Sequence, residues 1–298
     1  MNRLKGILMI IIGSMFWGAT GPMMEWLLSE TGLSASFMLA VRLIIAGTIM
    51  LLLMYLTGTN VFAIWKQAIW RNQLLIFSVV GMLGVQMTFV KTIEASNAIV
   101  ATLLQFLAPI LIVVYVSVTS KKWPPKAQIV GIAGTLFGLF LLLTNGSFSS
   151  LMVNDTALLW GVALGFTYAF YTLYPARLMQ EWGVLVVVAW GLLLSGIEIA
   201  VIGRIWSSNE WGYLANPTVI WMMAGLVVLG SSAFVLYLSS MKYITAVETS
   251  VLSSFEPLTA TIISVIWLSS VMQLWQVVGM ILMLVFVAYL SIAGKRNL

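Results

Sequence analysis

Thr102-Leu103-Leu104-Gln105-Phe106-Leu107-Ala108-Pro109 and Ser250-Val251-Leu252-Ser253-Ser254-Phe255-Glu256-Pro257 occupy matching places in two halves of one long apolar chain. Each ends on a proline set near the middle of a hydrophobic run, the fourth run in the first case and the ninth in the second. Proline lacks the N–H that an interior helical position donates, so each is read as a break in a helix. Five runs separate the two copies. Five is odd, so the second copy enters a membrane from the side opposite to the first. Inverted repeats whose matching helices are interrupted at the midplane are the architecture in which secondary transporters place a substrate site between the halves. The pair therefore predicts an all-α polytopic membrane protein with ten transmembrane helices in two inverted five-helix repeats around a central cavity.

Composition agrees. Of 298 residues 61% are hydrophobic and 8% charged, against roughly a quarter charged in soluble domains. The net charge of +5 arises at the ends of the apolar runs and forms no single patch. Anionic lipid headgroups and topology account for it, and nucleic acid is not an expected partner. The absence of cysteine excludes disulfides and thiolate metal sites. The absence of histidine removes the commonest metal ligand, general base and neutral-pH proton relay. Hydrolysis by a serine–histidine pair is excluded, and no metal or cofactor is called for. No G-x-x-x-x-G-K-[ST] occurs, so the chain carries no ATPase of its own.

A bilayer core of about 30 Å needs about 20 helical residues. Runs of that order lie near 6–28, 34–56, 73–93, 96–118, 127–145, 156–178, 184–205, 217–240, 246–268 and 272–293. Arg3 and Lys5 before the first run suggest a signal peptide, but the run continues through Leu28 without an A-x-A site and is read as an uncleaved span. The polar stretch from Asn145 to Asp155 divides the repeats, giving 1–146 and 154–298. One set of loops and ends holds eleven basic residues: Arg3, Lys5, Lys66, Arg71, Lys121, Lys122, Lys126, Arg177, Lys242, Lys295 and Arg296. The other set holds two, Lys91 and Arg204, and Arg42 inside a span completes the 14. The positive-inside rule places both termini in the cytoplasm and the protein in the cytoplasmic membrane.

Counting about 1.5 Å per helical residue brings Trp17, Gln105, Tyr168 and Glu256 to one level near the membrane centre. Helical spacing adds Phe89, Tyr237 and Ser253 to their faces. These seven are the candidate substrate-binding residues, with Pro109 and Pro257 as the helix breaks. Small and hydroxyl stripes also serve as packing surfaces between membrane helices. The Gly134 and Gly138 pair in span 5 is read that way. Glu256 carries the strongest signal, because an acid at mid-bilayer costs several kcal/mol unless paired, solvated or protonated. Substrate recognition, exchange of a coupling proton, and a buried structural hydrogen bond all remain open for it. Arg42 and Glu198 lie at similar depth, about a third of the way in from the outer face, and are expected to pair in a structural or gating role. Glu25, Lys91 and Glu94 read as solvated.

Phe16-Trp17-Gly18, Arg42 and Glu94-Ala95-Ser96-Asn97-Ala98 leading to Leu104-Gln105-Phe106-Leu107-Ala108-Pro109 resemble the first repeat of the EamA branch of the drug/metabolite transporter superfamily. Thr245-Ala246 leading to Phe255-Glu256-Pro257 resembles the second. The resemblance covers nearly the whole chain. It implies secondary transport, commonly export, of amino acids or related small solutes. Phe106 departs from the tyrosine frequent there. Two further readings stand beside it: a transporter of a cationic or quaternary amine, held by aromatic rings and Glu256, and a channel or non-transporting scaffold. An intramembrane enzyme is disfavoured by the missing histidine, cysteine and paired aspartates. The expected partners are a small-molecule substrate, membrane lipid and a coupling proton.

Overall fold

Each apolar run becomes a helix because lipid offers no partner to a free backbone N–H or C=O. The computed structural model describes residues 2–147, 153–245, 248–249, 252–253 and 255–293, and no strand occurs among them. Eight helices or helix groups among the described residues are long and apolar enough to cross a membrane, and two shorter apolar ones follow. In chain order the elements are α1 (Asn2–Thr31), α2 (Ala35–Leu56), α3 (Ala68–Ile76), α4 (Gly84–Ala95), α5 (Ala98–Leu104), α6 (Leu107–Ser120) and α7 (Lys126–Thr144). Then come α8 (Asp155–Leu173), α9 (Ala176–Trp182), α10 (Val184–Gly203), α11 (Pro217–Ser240), α12 (Phe255–Trp267) and α13 (Leu274–Ala293). A π-helical stretch, Phe77–Leu83, joins α3 to α4. Linker positions 148–152 and the basic residues Lys295 and Arg296 lie outside the described residues.

Helix ends are capped from the sequence. Asn97 and Asn154 accept the N–H groups of Val100 and Ala157 at 2.9 and 2.7 Å, and Ser34 accepts that of Phe37 at 3.2 Å, so the first orphan donors are satisfied. Thr245 and Glu248 exchange backbone-to-side-chain bonds of 3.0 and 3.1 Å, a capping box that starts the segment leading to α12.

In α1 the faces divide cleanly. Leu8, Ile12 and Met15 are exposed to the surroundings, as lipid-facing side chains should be, while Ile10, Trp17 and Met24 are buried. Since lipid is as apolar as leucine, close contact of small residues drives helix association. Gly134 and Gly138 meet Phe286 and Met283, so α7 packs on α13 within the chain, as the spacing predicts. Gly18 lies against the Glu256 carbonyl and Thr259, bringing α1 onto the start of α12. Gly165 does the same for α8 on Leu107 at the start of α6. Each half thus lays a glycine of its first span on the interrupted helix of the other half.

Candidate functional site

The two interruptions are built alike. Pro109 cannot bond to the Gln105 carbonyl, and the Ala108 N–H takes it instead at 2.9 Å. Pro257 cannot bond to the Ser253 carbonyl, and the Glu256 N–H takes it at 2.9 Å. Before each break a regular helical bond survives, Gln105 to Ala101 at 3.1 Å and Ser253 to Thr249 at 3.0 Å. Every member of the second set lies 148 residues beyond the first, the separation of the two prolines (257 − 109). The tightened turn at each break swings the preceding side chains out of the helical register.

At the breaks the side chains meet. Gln105 donates from Nε2 to Glu256 Oε2 at 2.7 Å, joining the halves across 151 residues of sequence, and both residues are buried. Beside them Trp17 packs against Phe234 at 4.9 Å between ring centroids, Tyr237 at 5.1 Å and Tyr168 at 6.0 Å. The Tyr168 ring meets that of Tyr237 edge-on at 5.5 Å, and its hydroxyl is buried without a hydrogen-bond partner among the described residues. Trp17, Phe89, Gln105, Tyr168 and Glu256 share one small pocket of ≈ 20 Å³, lined by buried side chains, with Arg42, Gln86 and Phe234. That volume holds about one water molecule.

A second cavity, ≈ 570 Å³, lies toward the lysine- and arginine-rich side, walled by Thr172, Ala176, Met179, Gly183, Lys242 and Thr245 among others. It is large enough for a small ligand. The layer between the two spaces is aromatic. Tyr237 belongs to it, touching Trp17 and Tyr168 above while its hydroxyl meets that of Thr172 at 3.0 Å. On the same side Arg3 bonds Glu248 at 2.5 Å, tying the start of α1 to the segment before α12.

Five of the seven sequence-selected residues therefore line the pocket itself, and Tyr237 and Ser253 stand at its aromatic edge. The expected ion pair between Arg42 and Glu198 does not form. Arg42 donates to Gln86 Oε1 at 2.9 Å and approaches the Met24 sulfur at 3.7 Å. Glu198 accepts from Ser78 in the π-helical stretch at 2.8 Å. Equal depth put the two residues on one level but on different walls. Glu25 is more than solvated: it accepts the Ala98 N–H at 2.8 Å and so fixes the start of α5 to α1. Lys91 and Glu94 pair with each other at 2.6 Å. Phe106 turns away from the pocket into an apolar cluster with Leu139 and Met283, so no hydroxyl is missing from the site at that position.

Thr20, Met24, Arg42, Val85, Gln86 and Phe234 also line the pocket; of these, Arg42 and Gln86 bring a guanidinium and an amide that spacing alone did not assign to it. Gln86 lies three residues before Phe89 on α4, and a polar amide in mid-span is the signal that marks it.

The EamA-like transporter family model matches twice, over residues 4–144 and 155–292. The chain belongs to the EamA-like transporter family. Over 294 residues it is 35% identical to the uncharacterized inner membrane transporter YicL of Salmonella typhimurium, covering 98% of this chain and 97% of that protein. The uncharacterized transporter YwfM of Bacillus subtilis is 23% identical over 292 residues, 97% of this chain and 95% of the relative. A protein crystal structure superposes with a TM-score of 0.73 at 18% identity, covering 98% of both chains, which concerns the fold alone. This EamA protein is thus a multi-pass membrane protein of a transporter family. Both family matches include one of the two helix breaks, so each contributes one wall of the pocket.

Proposed function

We propose that the protein is a secondary transporter that exports a small polar or amphipathic metabolite across the cytoplasmic membrane by alternating access. In this reading ten spans form two inverted five-helix repeats, 1–146 and 154–298, with both termini cytoplasmic. The observation that carries it is the bond between Gln105 and Glu256, made where two equivalently broken helices meet in a small pocket of buried side chains. A site this small cannot hold a metabolite as it stands, so binding requires the walls to part. The aromatic layer of Trp17, Tyr168 and Tyr237 separates the pocket from the larger cavity by the thickness of a few rings. Its movement would join the two spaces and expose the site to the cytoplasm.

Glu256 is the proposed coupling residue. One carboxylate that takes either a proton or a positively charged group of the substrate links the two by competition, with Gln105 holding it in place between turnovers. Trp17, Phe89, Tyr168, Tyr237 and Ser253 supply the remaining contacts. The aromatic faces around one acid also suit a quaternary amine, which makes the cationic reading the second to be tested.

The test uses proteoliposomes preloaded with a bacterial metabolite extract, their contents followed by mass spectrometry. A small set of solutes should leave faster than from protein-free liposomes loaded alike, with a rate that saturates and depends on external pH. Glu256→Gln, which keeps shape but cannot ionise, should fold to normal yield and lose the pH dependence together with most of the flux. Unsaturable flux would identify a channel, and absence of any selective loss would leave a scaffold.

A further inference from the structure

The turn that follows α6 carries charge that its own structure does not use. Lys121 takes the left-handed backbone conformation there, with φ 53°. The Lys121 and Lys122 N–H groups bond the Val118 and Ser117 carbonyls at 3.2 and 3.1 Å. The backbone thus closes the helix end by itself and needs neither ammonium group. The salt bridges formed among the described residues are Arg3 with Glu248 and Lys91 with Glu94. Lys121, Lys122 and Lys126 are all exposed, and no acid neutralises them.

Beside these lysines lies a cavity of ≈ 330 Å³, between Val114 and Val118 of α6 and the turn residues Lys121, Lys122, Trp123 and Pro124. Its wall on α6 is apolar and its rim is basic. Val118 is 70% and Trp123 91% exposed, so the described chain leaves this surface open. α6 packs on α8, whereas α7 turns away to pack on α13.

The equivalent turn of the second half isolates the charge. Ser269 stands 148 residues beyond Lys121 (269 − 121) and has the same φ of 53°. The sequence there is Ser269-Ser270-Val271-Met272 in place of Lys121-Lys122-Trp123-Pro124. A left-handed residue at this place therefore requires neither lysine nor tryptophan. Nor does orientation hang on the pair, since nine of the eleven basic residues on that side remain without it (11 − 2).

A lipid phosphate at the Lys121 and Lys122 ammonium groups uses every part of this surface. Its acyl chains would run down the valines, with Trp123 at the headgroup boundary. A soluble anion would leave the valines bare, and a lipid without net charge would leave the lysines unpaired. We propose that the turn between α6 and α7 binds an anionic phospholipid, phosphatidylglycerol or cardiolipin, in the cytoplasmic leaflet of the orientation given above. The bound lipid would anchor the far end of the helix that starts at the Pro109 break. This holds whatever solute the protein carries.

Native mass spectrometry of the detergent-purified protein tests it. The probes are phosphatidylglycerol, cardiolipin and phosphatidylethanolamine with matched acyl chains, and glycerol 3-phosphate as a soluble headgroup. At least one anionic lipid should bind at least about tenfold more tightly than phosphatidylethanolamine, a preference that two lysines near the headgroups can supply. Glycerol 3-phosphate should bind more weakly than that lipid. Lys121→Gln/Lys122→Gln should abolish the preference, while Lys66→Gln/Arg71→Gln, an equal loss of charge elsewhere on the same side, should keep it. The lipid series on the unaltered protein decides even where a variant folds poorly. Equal binding of all three lipids, a preference unchanged by Lys121→Gln/Lys122→Gln, an equal loss in Lys66→Gln/Arg71→Gln, or glycerol 3-phosphate bound as tightly as the lipids overturns the proposal.

Discussion

The break at Pro109 and the break at Pro257 share a backbone and differ in chemistry. Both shift one carbonyl from the missing proline N–H to the residue before it. At the first break the positions involved are Gln105 and Ala108; at the second they are Ser253 and Glu256. The first copy therefore offers an amide and a methyl group, the second a hydroxyl and a carboxylate. Duplicating the interruption repeats the backbone geometry, while placing the acid in one copy only makes the site chemically asymmetric. A carboxylate at both positions would set two like charges together in a low-dielectric space, which is strongly unfavourable.

The steric side of the comparison gives the largest stability effect. A methyl group on Gly18 would collide with the Glu256 carbonyl, Thr259 and the Ala260 nitrogen, whereas one on Gly165 has a single close neighbour, Leu107 Cβ at 2.8 Å. Gly18→Ala should therefore destabilise the protein by about 2–3 kcal/mol and Gly165→Ala by about 1 kcal/mol, in the range for overpacked sites. Thermal unfolding in detergent measures both. Equal losses would mean that the two breaks are supported alike.

Removing the bond that joins the breaks comes next. Gln105→Ala leaves the Glu256 carboxylate without its amide donor, a change of about 1–3 kcal/mol for a buried group. Efflux should fall by roughly tenfold or more on that scale, with folded yield retained. If flux is unchanged, the contact between the halves is incidental to transport. Glu198→Gln belongs at the other end of the scale. Because Glu198 bonds to Ser78 and not to Arg42, its neutral analogue should leave transport unaltered and shift stability by less than about 1 kcal/mol. A large loss of transport would restore a functional link with Arg42.

What the sequence makes legible follows the membrane normal. Rise per residue fixes depth, so Trp17, Gln105, Tyr168 and Glu256 are placed on one level from counting alone, and the structure brings all four to one pocket. Azimuth is less accessible, because the face a side chain presents depends on which helix packs there. Arg42 and Glu198 share a depth but face different neighbours. Span 3 adds a further obstacle, since the i→i+5 bonding of Phe77–Leu83 rotates the faces after it relative to a regular helix. Gly84 and Thr88 consequently meet Thr167 of α8, while Gln86 and Phe89 turn to the pocket. The layer formed by Tyr237 and Thr172 is equally invisible in the sequence, because its bond links helices 65 residues apart.

Alternating access requires that one pocket open by turns to each face of the membrane. Thr20 lines that pocket and is buried, its hydroxyl donating to the Trp17 carbonyl at 2.7 Å. The chain has no cysteine, so Thr20→Cys introduces a single thiol in an otherwise unreactive background. A small membrane-impermeant methanethiosulfonate should modify it from outside in intact cells and from inside in inverted vesicles, with substrate slowing both reactions. Modification from one face only, or from neither, would contradict alternating access to this site.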